Sequence, residues 1–335
     1  MVIKLLEKAP VCKVLEIVVD LKLFIVGGNS PTAKDLIEIL RERRIRFQAP
    51  PDKQIDPNDE VSIAKLITEA APSQLVNLAD FISTNHSALR RAETMEDRCY
   101  QINARLPTVL SEVCNHLNIP IIHLSNAYVF DGSKKLGYNE NDEFNPLGVY
   151  GLASEQGERA VRQHNTHVVI RSGWLFGKKK KGLIKSWIRS AKRNMGQVTV
   201  SSRRLSPTYT GHIAQAILAV IQQVDCGANV WGNYHYSGLE TKREREFVEQ
   251  VIKYAANHDE LIYKLLDSIE IVEQDVHAPE IFNSTLSSKK IFDTFGIKQK
   301  SWHGDLKEVI KSLYEGVYRV SKSPAENEST KSDVA

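Results

Sequence analysis

Short apolar segments of strand length recur along this chain, with segments of helical spacing between them. Residues 21–26, 74–79 and 119–125 are such strand-like segments. The segments that separate them carry apolar residues three or four positions apart, as the inward faces of helices do. This alternation predicts an α/β fold in which a parallel sheet has helices on both faces. Ligands bind such sheets at the carboxyl ends of the strands, so functional residues are expected there.

Composition places the chain among ordinary globular proteins. Of its 335 residues, 42% are hydrophobic and 25% are charged, which is enough apolar content for a sizeable core. The net charge of +3 is too small to indicate a polyanionic partner. The four cysteines form no CxxC pair and have no clustered histidines, which predicts reduced thiols and no metal site. No segment approaches the roughly 18 apolar residues of a membrane span and no secretory signal is recognised, so a cytoplasmic protein is expected.

The first strand-like segment ends in a glycine turn, Gly27 and Gly28, followed by a segment of helical spacing. Strand, glycine turn and helix begin a nucleotide-binding βαβ unit, in which glycines let a pyrophosphate approach the helix N-terminus. In a GxxGxxG frame that starts at Gly27, Ser30 and Ala33 take the places of the later glycines. Pro31 also removes one backbone N–H that could hold phosphate. A dinucleotide site and a plain strand-to-helix corner are therefore predicted with equal weight.

The acidic residue that usually holds a ribose hydroxyl, about 20 positions after the glycine turn, is not obvious. Residues 45–47 are the expected second strand, and Asp56 follows it after a proline-rich break. Asp56 is a candidate for contact with adenine or ribose. The sequence from Asp56 to Asp59 is also a typical turn that caps a helix at 61–70, and this second interpretation is favoured.

The most specific pattern begins at the end of the strand-like segment 119–125. It consists of Tyr128-Val129-Phe130-Asp131-Gly132, Tyr150-Gly151 and the segment 168–177. This pattern resembles the dTDP-4-dehydrorhamnose reductase branch of the extended short-chain dehydrogenase/reductase family, which also contains the regulatory β subunit of methionine adenosyltransferase. The resemblance covers about residues 22–315. It implies a Rossmann-like, doubly wound parallel sheet with a small C-terminal substrate lobe, and NAD(P)H and a nucleotide-linked sugar as ligands.

The family's reaction depends on a tyrosine that gives a proton to a substrate carbonyl while the nicotinamide gives hydride. A lysine one helical turn later lowers the tyrosine pKa, ordinarily about 10, and binds the nicotinamide ribose. Tyr150 matches the tyrosine, but Ser154 stands at the lysine position. Asn126 replaces the Ser or Thr that orients the carbonyl, and Ala127 replaces the neighbouring Asp. The resemblance thus implies Tyr150 as the retained catalytic residue, with degenerate partners at Asn126 and Ser154.

The resemblance assigns further residues to the two sides of the site. On the cofactor side, besides the glycine turn and Asp56, they are Asn77, Ala79 and Asn103. On the substrate side they are Ser125, Tyr128, Arg171, Trp174, Pro207 and Thr208. One position has changed character, because Glu280 stands where the family has an arginine that faces the substrate. A carboxylate in that place would repel a substrate pyrophosphate.

Four segments are expected along the chain. Residues 1–20 form an N-terminal extension without a motif, and residues 21–177 form the Rossmann-like nucleotide-binding core. Residues 178–318 contain the remaining core elements and the smaller substrate-binding lobe, with the chain crossing between the two. Residues 319–335 are polar and aperiodic, which predicts a disordered tail.

Three functions remain open from the sequence. The first is a protein that binds a sugar nucleotide and NAD(P) but is weakly active or non-catalytic, with a regulatory role towards a protein partner or as a homo-oligomer. The second is an active NAD(P)H-dependent reductase of a nucleotide-linked 4-keto-6-deoxy sugar, which the retained Tyr150 supports. The third and weakest is a polyanion binder that uses the basic region 178–204; no nucleic-acid-binding motif accompanies that region. A lysine at 134–135 or 178–181 could restore the missing charge, although loop lysines are usually solvated.

Overall fold

The computed structural model describes residues 21–81, 87–193 and 196–320. The extension expected at 1–20 and the part of the expected tail beyond residue 320 lie outside the described residues. The last helix continues to Val320, so the chain is still helical at residues 319 and 320, where the sequence predicted that the tail begins.

A six-stranded sheet forms the centre of the fold, and each pair of neighbouring strands in it is parallel. The strands of the described chain are β1 (Lys22–Val26), β2 (Arg46–Gln48), β3 (Gln74–Asn77), β4 (Ile121–Asn126), β5 (His167–Ser172), β6 (Leu175–Phe176), β7 (Gln197–Ser201), β8 (Arg204–Leu205), β9 (Thr208–Tyr209), β10 (Gly232–Tyr236), β11 (Lys242–Arg243) and β12 (Glu270–Gln274). The central sheet has the order β2-β1-β3-β4-β5-β10, and the short strands pair as β7 with β12, β8 with β11 and β6 with β9.

Helices cover both faces of the central sheet and build a second, smaller lobe. They are α1 (Pro31–Glu42), α2 (Glu60–Ala70), α3 (Ser87–Thr94), α4 (Glu96–Tyr100), α5 (Leu106–Leu117), α6 (Val149–Val161), α7 (Gly182–Arg193), α8 (Thr210–Asp225), α9 (Glu244–Ala255), α10 (Glu260–Leu265), α11 (Lys289–Phe295) and α12 (His303–Val320). A π-helical segment, Gln101–Arg105, joins α4 to α5, and short 3₁₀ helices lie at Asp52–Gln54, Ala127–Val129 and Leu266–Ser268.

Strand β1 shows why these strands are apolar without alternation. Leu23 and Ile25 are buried in the core that packs against α1 and α8, whereas Phe24 and Val26 are buried in the core on the opposite face, against α2 and α5. A strand buried on both faces has no solvent side, so its sequence reads as a continuous apolar run. The predicted α/β class and doubly wound parallel sheet are confirmed.

The smaller lobe has its own core, made largely of aromatic side chains. Phe247 from α9 packs against Trp302 with ring centroids 5.1 Å apart, and against Trp174 at 5.2 Å. Trp187 from α7 and Phe176 from β6 join the same cluster. Because Trp174 lies just after β5, this cluster joins the lobe to the carboxyl edge of the central sheet.

The topology places a ligand site at that edge. The chain moves from β1 to β2 on one side and then to β3 on the other side, so the connections after β1 and β3 diverge. A crevice opens at such a switch point, outside the carboxyl ends of the strands. None of the helices in the described ranges is long and apolar enough to cross a membrane.

Candidate active site

A cavity of about 130 Å³ lies where β4 and β5 end and where the smaller lobe approaches them. The residues predicted from sequence that line it are Ala79, Asn103, Ser125, Asn126, Tyr128, Tyr150, Ser154 and Trp174. Lys180, one of the candidate replacement lysines, and Arg203, from the basic region 178–204, also line it. Further lining residues were not predicted from the sequence, among them Asp80, His123 and Ser284. The fold therefore brings the predicted tyrosine and both of its altered partners together in one cavity.

Ser154 takes part in three hydrogen bonds inside this cavity. Its hydroxyl donates to the backbone carbonyl of Tyr150, one turn earlier in α6, at 2.8 Å. It accepts from the side-chain amides of Asn126 at 3.0 Å and Asn103 at 3.1 Å. Asn126 is held at its other end, because its oxygen accepts the backbone N–H of Tyr128 at 2.9 Å. The position that carries a charged lysine in the family is therefore occupied by a hydroxyl whose three hydrogen-bond partners are all neutral groups.

Tyr150 is 4% exposed, and its hydroxyl donates to Oδ1 of Asp80 at 3.0 Å. Burial raises the pKa of Tyr150 well above its ordinary value, and the charge of Asp80 raises it further. Tyr128 packs against the ring of Tyr150 edge to face, with centroids 5.5 Å apart. These surroundings act on the tyrosine pKa in the opposite sense to a neighbouring lysine.

Asp80 connects the cavity to the cofactor side of the crevice. The oxygen that accepts from Tyr150 also accepts from the amide of Asn103 at 3.2 Å, and the oxygen of Asn103 in turn accepts the backbone N–H of Phe81 at 2.9 Å. Asn103 lies in the π-helical segment. Asp80 directly follows the strand-like segment 74–79, so its place at a strand's carboxyl end was the sequence signal that could have identified it.

A second cavity of about 620 Å³ lies beside the glycine turn and shares Ala79 and Asp80 with the first. Gly27 has a φ of +75°, and a Cβ atom built there would lie 2.3 Å from the backbone nitrogen of Ala79. Only glycine fits this turn. The close approach of the ends of β1 and β3 therefore depends on Gly27, the first position of the GxxGxxG frame and the only one of its three glycine positions that is still a glycine.

The N-terminus of α1 offers a reduced phosphate site. Ser30 caps the helix by accepting the backbone N–H of Ala33 at 3.2 Å, and Pro31 has no N–H. Of the three first-turn positions, only Thr32 can then offer its backbone N–H to a ligand. A bound pyrophosphate would have fewer donors here than at an ordinary dinucleotide turn.

The other predicted cofactor residues take different positions. Asp56 lines the second cavity, but its Oδ1 accepts from both the backbone and side-chain nitrogens of Asn58, as expected for the turn that the sequence favoured. Asn77 is buried beneath the crevice, where its oxygen accepts the N–H of Ala79 at 3.1 Å. Gly28 and Ala33 are not among the described residues that line either cavity.

Arg171 lies away from both cavities and is fully buried. Its guanidinium makes an ion pair with Glu158 at 2.7 Å and a hydrogen bond with His235 at 3.1 Å. It also lies over the ring of Phe144, 4.7 Å from the centroid. The resemblance to the family implied that Arg171 contacts the substrate. In this fold its ion pair with Glu158 neutralises its charge and joins β5 to α6.

Pro207 and Thr208, also assigned to the substrate side, are buried at the junction of the lobe and the sheet. The hydroxyl of Thr208 donates to the carbonyl of Ser206 at 3.0 Å and accepts the N–H of Gly238 at 2.9 Å. Neither Pro207 nor Thr208 is among the described residues that line the first cavity. The hydrogen bonds of Thr208 join the chain before α8 to the chain after β10 at the wall of the crevice.

Arg203 brings a positive charge to the first cavity from an unexpected position. It is 4% exposed and forms an ion pair with Glu244 at 2.9 Å. Glu280, which replaces the family's arginine, accepts a hydrogen bond from Ser201 at 3.0 Å. The sequence placed Arg203 only within the basic region 178–204, and nothing in that region distinguished it as the arginine that lines this cavity.

The candidate replacement lysines fall into two groups. Lys134 forms an ion pair with Asp142 at 2.6 Å, and Lys135 is exposed. Lys179 is paired with Asp35 at 2.9 Å, but Lys180 lines the first cavity. Burial lowers the pKa of Lys180, and the negative charge of Asp80 acts against that shift.

Two curated relatives match nearly the whole chain. A dTDP-4-dehydrorhamnose reductase of Aggregatibacter actinomycetemcomitans is 27% identical over 292 residues, which cover 86% of this chain and 98% of that protein. The dTDP-4-dehydrorhamnose reductase of Sinorhizobium fredii is 28% identical over 306 residues, which cover 88% and 98%. The likeness therefore extends over full-length reductases and is not confined to a shared nucleotide-binding segment.

Solved structures share the fold at lower identity. A dTDP-4-dehydrorhamnose reductase from Clostridium acetobutylicum has a TM-score of 0.75 at 23% identity, covering 88% of this chain and 99% of that chain. The enzyme from Bacillus anthracis, solved in complex with NADP, has a TM-score of 0.72 at 22% identity, covering 87% and 97%. The family model described as the RmlD substrate binding domain matches residues 21–315. Because that match extends over nearly all of the described residues, the chain belongs to the RmlD substrate binding domain family.

Proposed function

We propose that this protein binds NAD(P) and a sugar nucleotide as a dTDP-4-dehydrorhamnose-reductase-like protein, and that its degenerate active site leaves it weakly active or non-catalytic. The hydrogen bond from Tyr150 to Asp80 is the observation that carries the proposal. The hydroxyl that should give a proton to a carbonyl gives its hydrogen bond to a carboxylate, whose charge opposes formation of a tyrosinate. Proton transfer to a substrate would start from an acid weaker than an ordinary tyrosine.

The replacement of the family's lysine by Ser154 supports the same conclusion. Ser154 carries no charge, and its hydroxyl is engaged by Tyr150, Asn126 and Asn103. The helix position next to the tyrosine therefore contributes nothing that lowers the tyrosine pKa. Each unit by which that pKa is raised is worth about 1.4 kcal/mol, or about tenfold in the fraction of tyrosinate formed.

The second cavity supports a retained nucleotide site. Gly27 permits close approach of a pyrophosphate, and the Thr32 N–H at the start of α1 would donate to it. Asp52, whose carboxylate accepts from Asn29 at 3.0 Å, and Asp56 also line this cavity and would face the adenosine half. A bound nicotinamide cofactor would supply the hydride. The reduced set of backbone donors leads us to expect weaker binding than at a complete glycine-rich turn.

Nucleotide binding is the first test. A ligand that binds only the folded state raises the melting temperature, so NADH, NADPH and a dTDP-linked sugar should each do so at concentrations far above their dissociation constants. Absence of a shift with all three would reject the binding half of the proposal.

Turnover is the second test, measured as nicotinamide oxidation with a dTDP-linked 4-keto-6-deoxy sugar. We expect rates far below the ordinary range of about 1–10³ s⁻¹. Ordinary turnover that is abolished in Tyr150→Phe would reject the degenerate site and establish an active NAD(P)H-dependent reductase. That second candidate function is favoured by one observation, the presence of Lys180 in the cavity with Tyr150.

A polyanion-binding role for the region 178–204 has less support. Arg203 is buried against Glu244, and Lys192 is paired with Asp259 at 2.8 Å. These pairs reduce the positive charge that the region presents to solvent. Binding to a protein partner, formation of a homo-oligomer and a cytoplasmic location stay predictions from the sequence.

A further inference from the structure

The loop between β6 and α7, residues 177–181, is a tight turn, here called the lysine strap. Gly177 and Lys180 exchange two backbone hydrogen bonds, of 3.2 Å and 3.0 Å. A Cβ atom at Gly177 would lie 2.0 Å from the hydroxyl oxygen of Thr210, so the strap packs directly on the start of α8. The backbone position of Lys180 is therefore fixed by the turn and by this contact.

A second anchor holds the strap against α1. The ammonium of Lys179 lies 2.9 Å from the carboxylate of Asp35, contacts Glu38, and donates to the carbonyl of Lys34 at 3.2 Å. The next residue, Lys180, faces the first cavity, where it is one of the lining residues. The lysine strap thus connects α1, whose N-terminus lies beside the glycine turn, with the first cavity, which contains Tyr150.

Lys180 interacts electrostatically with the carboxylate of Asp80, which also accepts the hydrogen bond of the Tyr150 hydroxyl. Its ammonium is desolvated, and Asp80 is the charged neighbour that favours its protonated form. A buried ammonium is costly unless opposite charge and hydrogen-bond acceptors surround it. The cavity is therefore lined by three ionisable side chains from different parts of the fold: the carboxylate of Asp80, the phenol of Tyr150 and the ammonium of Lys180.

The helix side of the cavity carries no such charge. Ser154 occupies the family's lysine position and accepts hydrogen bonds from Asn103 and Asn126. We propose that Lys180 supplies from the lysine strap the ammonium that position 154 lacks, and that it binds an oxygen of the ligand in the first cavity, opposite Asp80 and Tyr150. The ligand group is a hydroxyl of the nicotinamide ribose, which NADPH contains and ADP lacks. This inference rests on the proposed function for the identity of the ligand.

The test compares NADPH with ADP in Lys180→Met, Lys180→Arg and Lys181→Met, by calorimetric titration. Methionine keeps most of the length of the side chain and removes the charge, and Lys181 is the adjacent lysine outside the cavity lining. A hydrogen bond to a charged group is lost in Lys180→Met, so NADPH should bind roughly tenfold to hundredfold more weakly. ADP occupies only the second cavity and should bind all variants alike. Lys180→Arg should retain most of the NADPH affinity.

The outcomes separate the inference from the function on which it rests. If the wild type binds neither nucleotide, the cofactor-binding part of the proposed function fails, and the inference fails with it. If the wild type binds NADPH and Lys180→Met binds it equally well, or if NADPH and ADP weaken together, the inference alone is overturned. Thermal unfolding of each variant without ligand shows whether it is folded, and Lys180→Gln replaces Lys180→Met if the latter is not.

A double variant tests whether the two lysine positions are equivalent. Ser154→Lys restores the family's charge on the helix, so adding it to Lys180→Met should recover part of the lost NADPH affinity. A folded double variant that recovers none would show that the strap lysine does not take the place of the helix lysine.

Discussion

The hydroxyl of Tyr150 and the carboxylate of Asp80 are joined by a hydrogen bond of 3.0 Å inside a buried cavity. The two residues come from α6 and from the end of β3, so the bond links the part of the fold that identifies the family to the nucleotide-binding half. It holds the tyrosine in its protonated form, because a nearby negative charge and burial both disfavour tyrosinate.

The first prediction concerns the ionisation of Tyr150. The absorbance of tyrosinate, taken as the difference between the wild type and Tyr150→Phe, should show no titration of this residue near the ordinary pKa of about 10. Asp80→Asn removes the charge and should lower the Tyr150 pKa. Because the folded-state pKa is raised, the contribution of Tyr150 to stability is complete below about 10 and is lost as the pH rises through the folded value. A Tyr150 titration unchanged in Asp80→Asn would contradict the assigned cause.

The second prediction concerns Ser154. Alanine at this position removes the hydroxyl that bonds to Asn126, Asn103 and the Tyr150 carbonyl, and leaves buried amide donors without their acceptor. Urea unfolding should show a loss of about 1–3 kcal/mol. Ser186→Ala on the exposed side of α7 is the matched control and should change the free energy of unfolding by less than about 0.5 kcal/mol. Equal effects at the two positions would argue against the network.

The third prediction concerns Gly27. Alanine there would adopt an unfavourable positive φ and would place its Cβ against the backbone of Ala79. We expect Gly27→Ala to cost about 2 kcal/mol or more, because strain of this kind costs about 1–3 kcal/mol before the clash is added. Gly304, within α12, has open space around a built Cβ, so Gly304→Ala should be neutral or slightly stabilising. Thermal unfolding of the two variants provides the comparison.

The fourth prediction separates a structural role of Arg171 from a role in substrate binding. Arg171→Met leaves Glu158 buried without its partner, which should destabilise the fold by about 3–5 kcal/mol. Arg159→Ala breaks the exposed pair with Glu155 and should cost less than about 1 kcal/mol. If Arg171→Met has the same free energy of unfolding as the wild type but loses affinity for the sugar nucleotide, Arg171 contacts the substrate and does not act through the stability of the fold.

Much of the fold follows from local sequence patterns. The apolar runs 21–26, 74–79 and 119–125 each predict a strand within a few residues of β1, β3 and β4. The sequence from Cys99 to Asn118 predicts one long helix, but a π-helical segment that carries Asn103 divides it. The change of hydrogen-bond register coincides with a change of core. Cys99 packs in the cluster that contains Tyr150, whereas Leu106 and Val109 pack in the cluster beneath β1, and this division depends on distant contacts that the local pattern does not contain.

The site was harder to anticipate because its chemistry depends on contacts between distant elements. Asp80 follows a strand that the sequence identified, but its partner Tyr150 is 70 residues away. Lys180 is one of four consecutive lysines, and the turn at Gly177 together with the pairing of Lys179 and Asp35 determines which of them faces the cavity. Arg171 belongs to the most family-specific stretch, yet the burial of Glu158 against it could not be read from that stretch.

The shared wall between the two cavities has a thermodynamic consequence. Asp80 lines both of them, so a ligand that shifts the position of this carboxylate in one cavity changes the free energy of occupying the other. By linkage, the factor is the same in both directions. The affinity for a nucleotide on the cofactor side would thus depend on whether a sugar is bound beside Tyr150, and the affinity for the sugar would depend on the nucleotide. This coupling would exist even without hydride transfer between them.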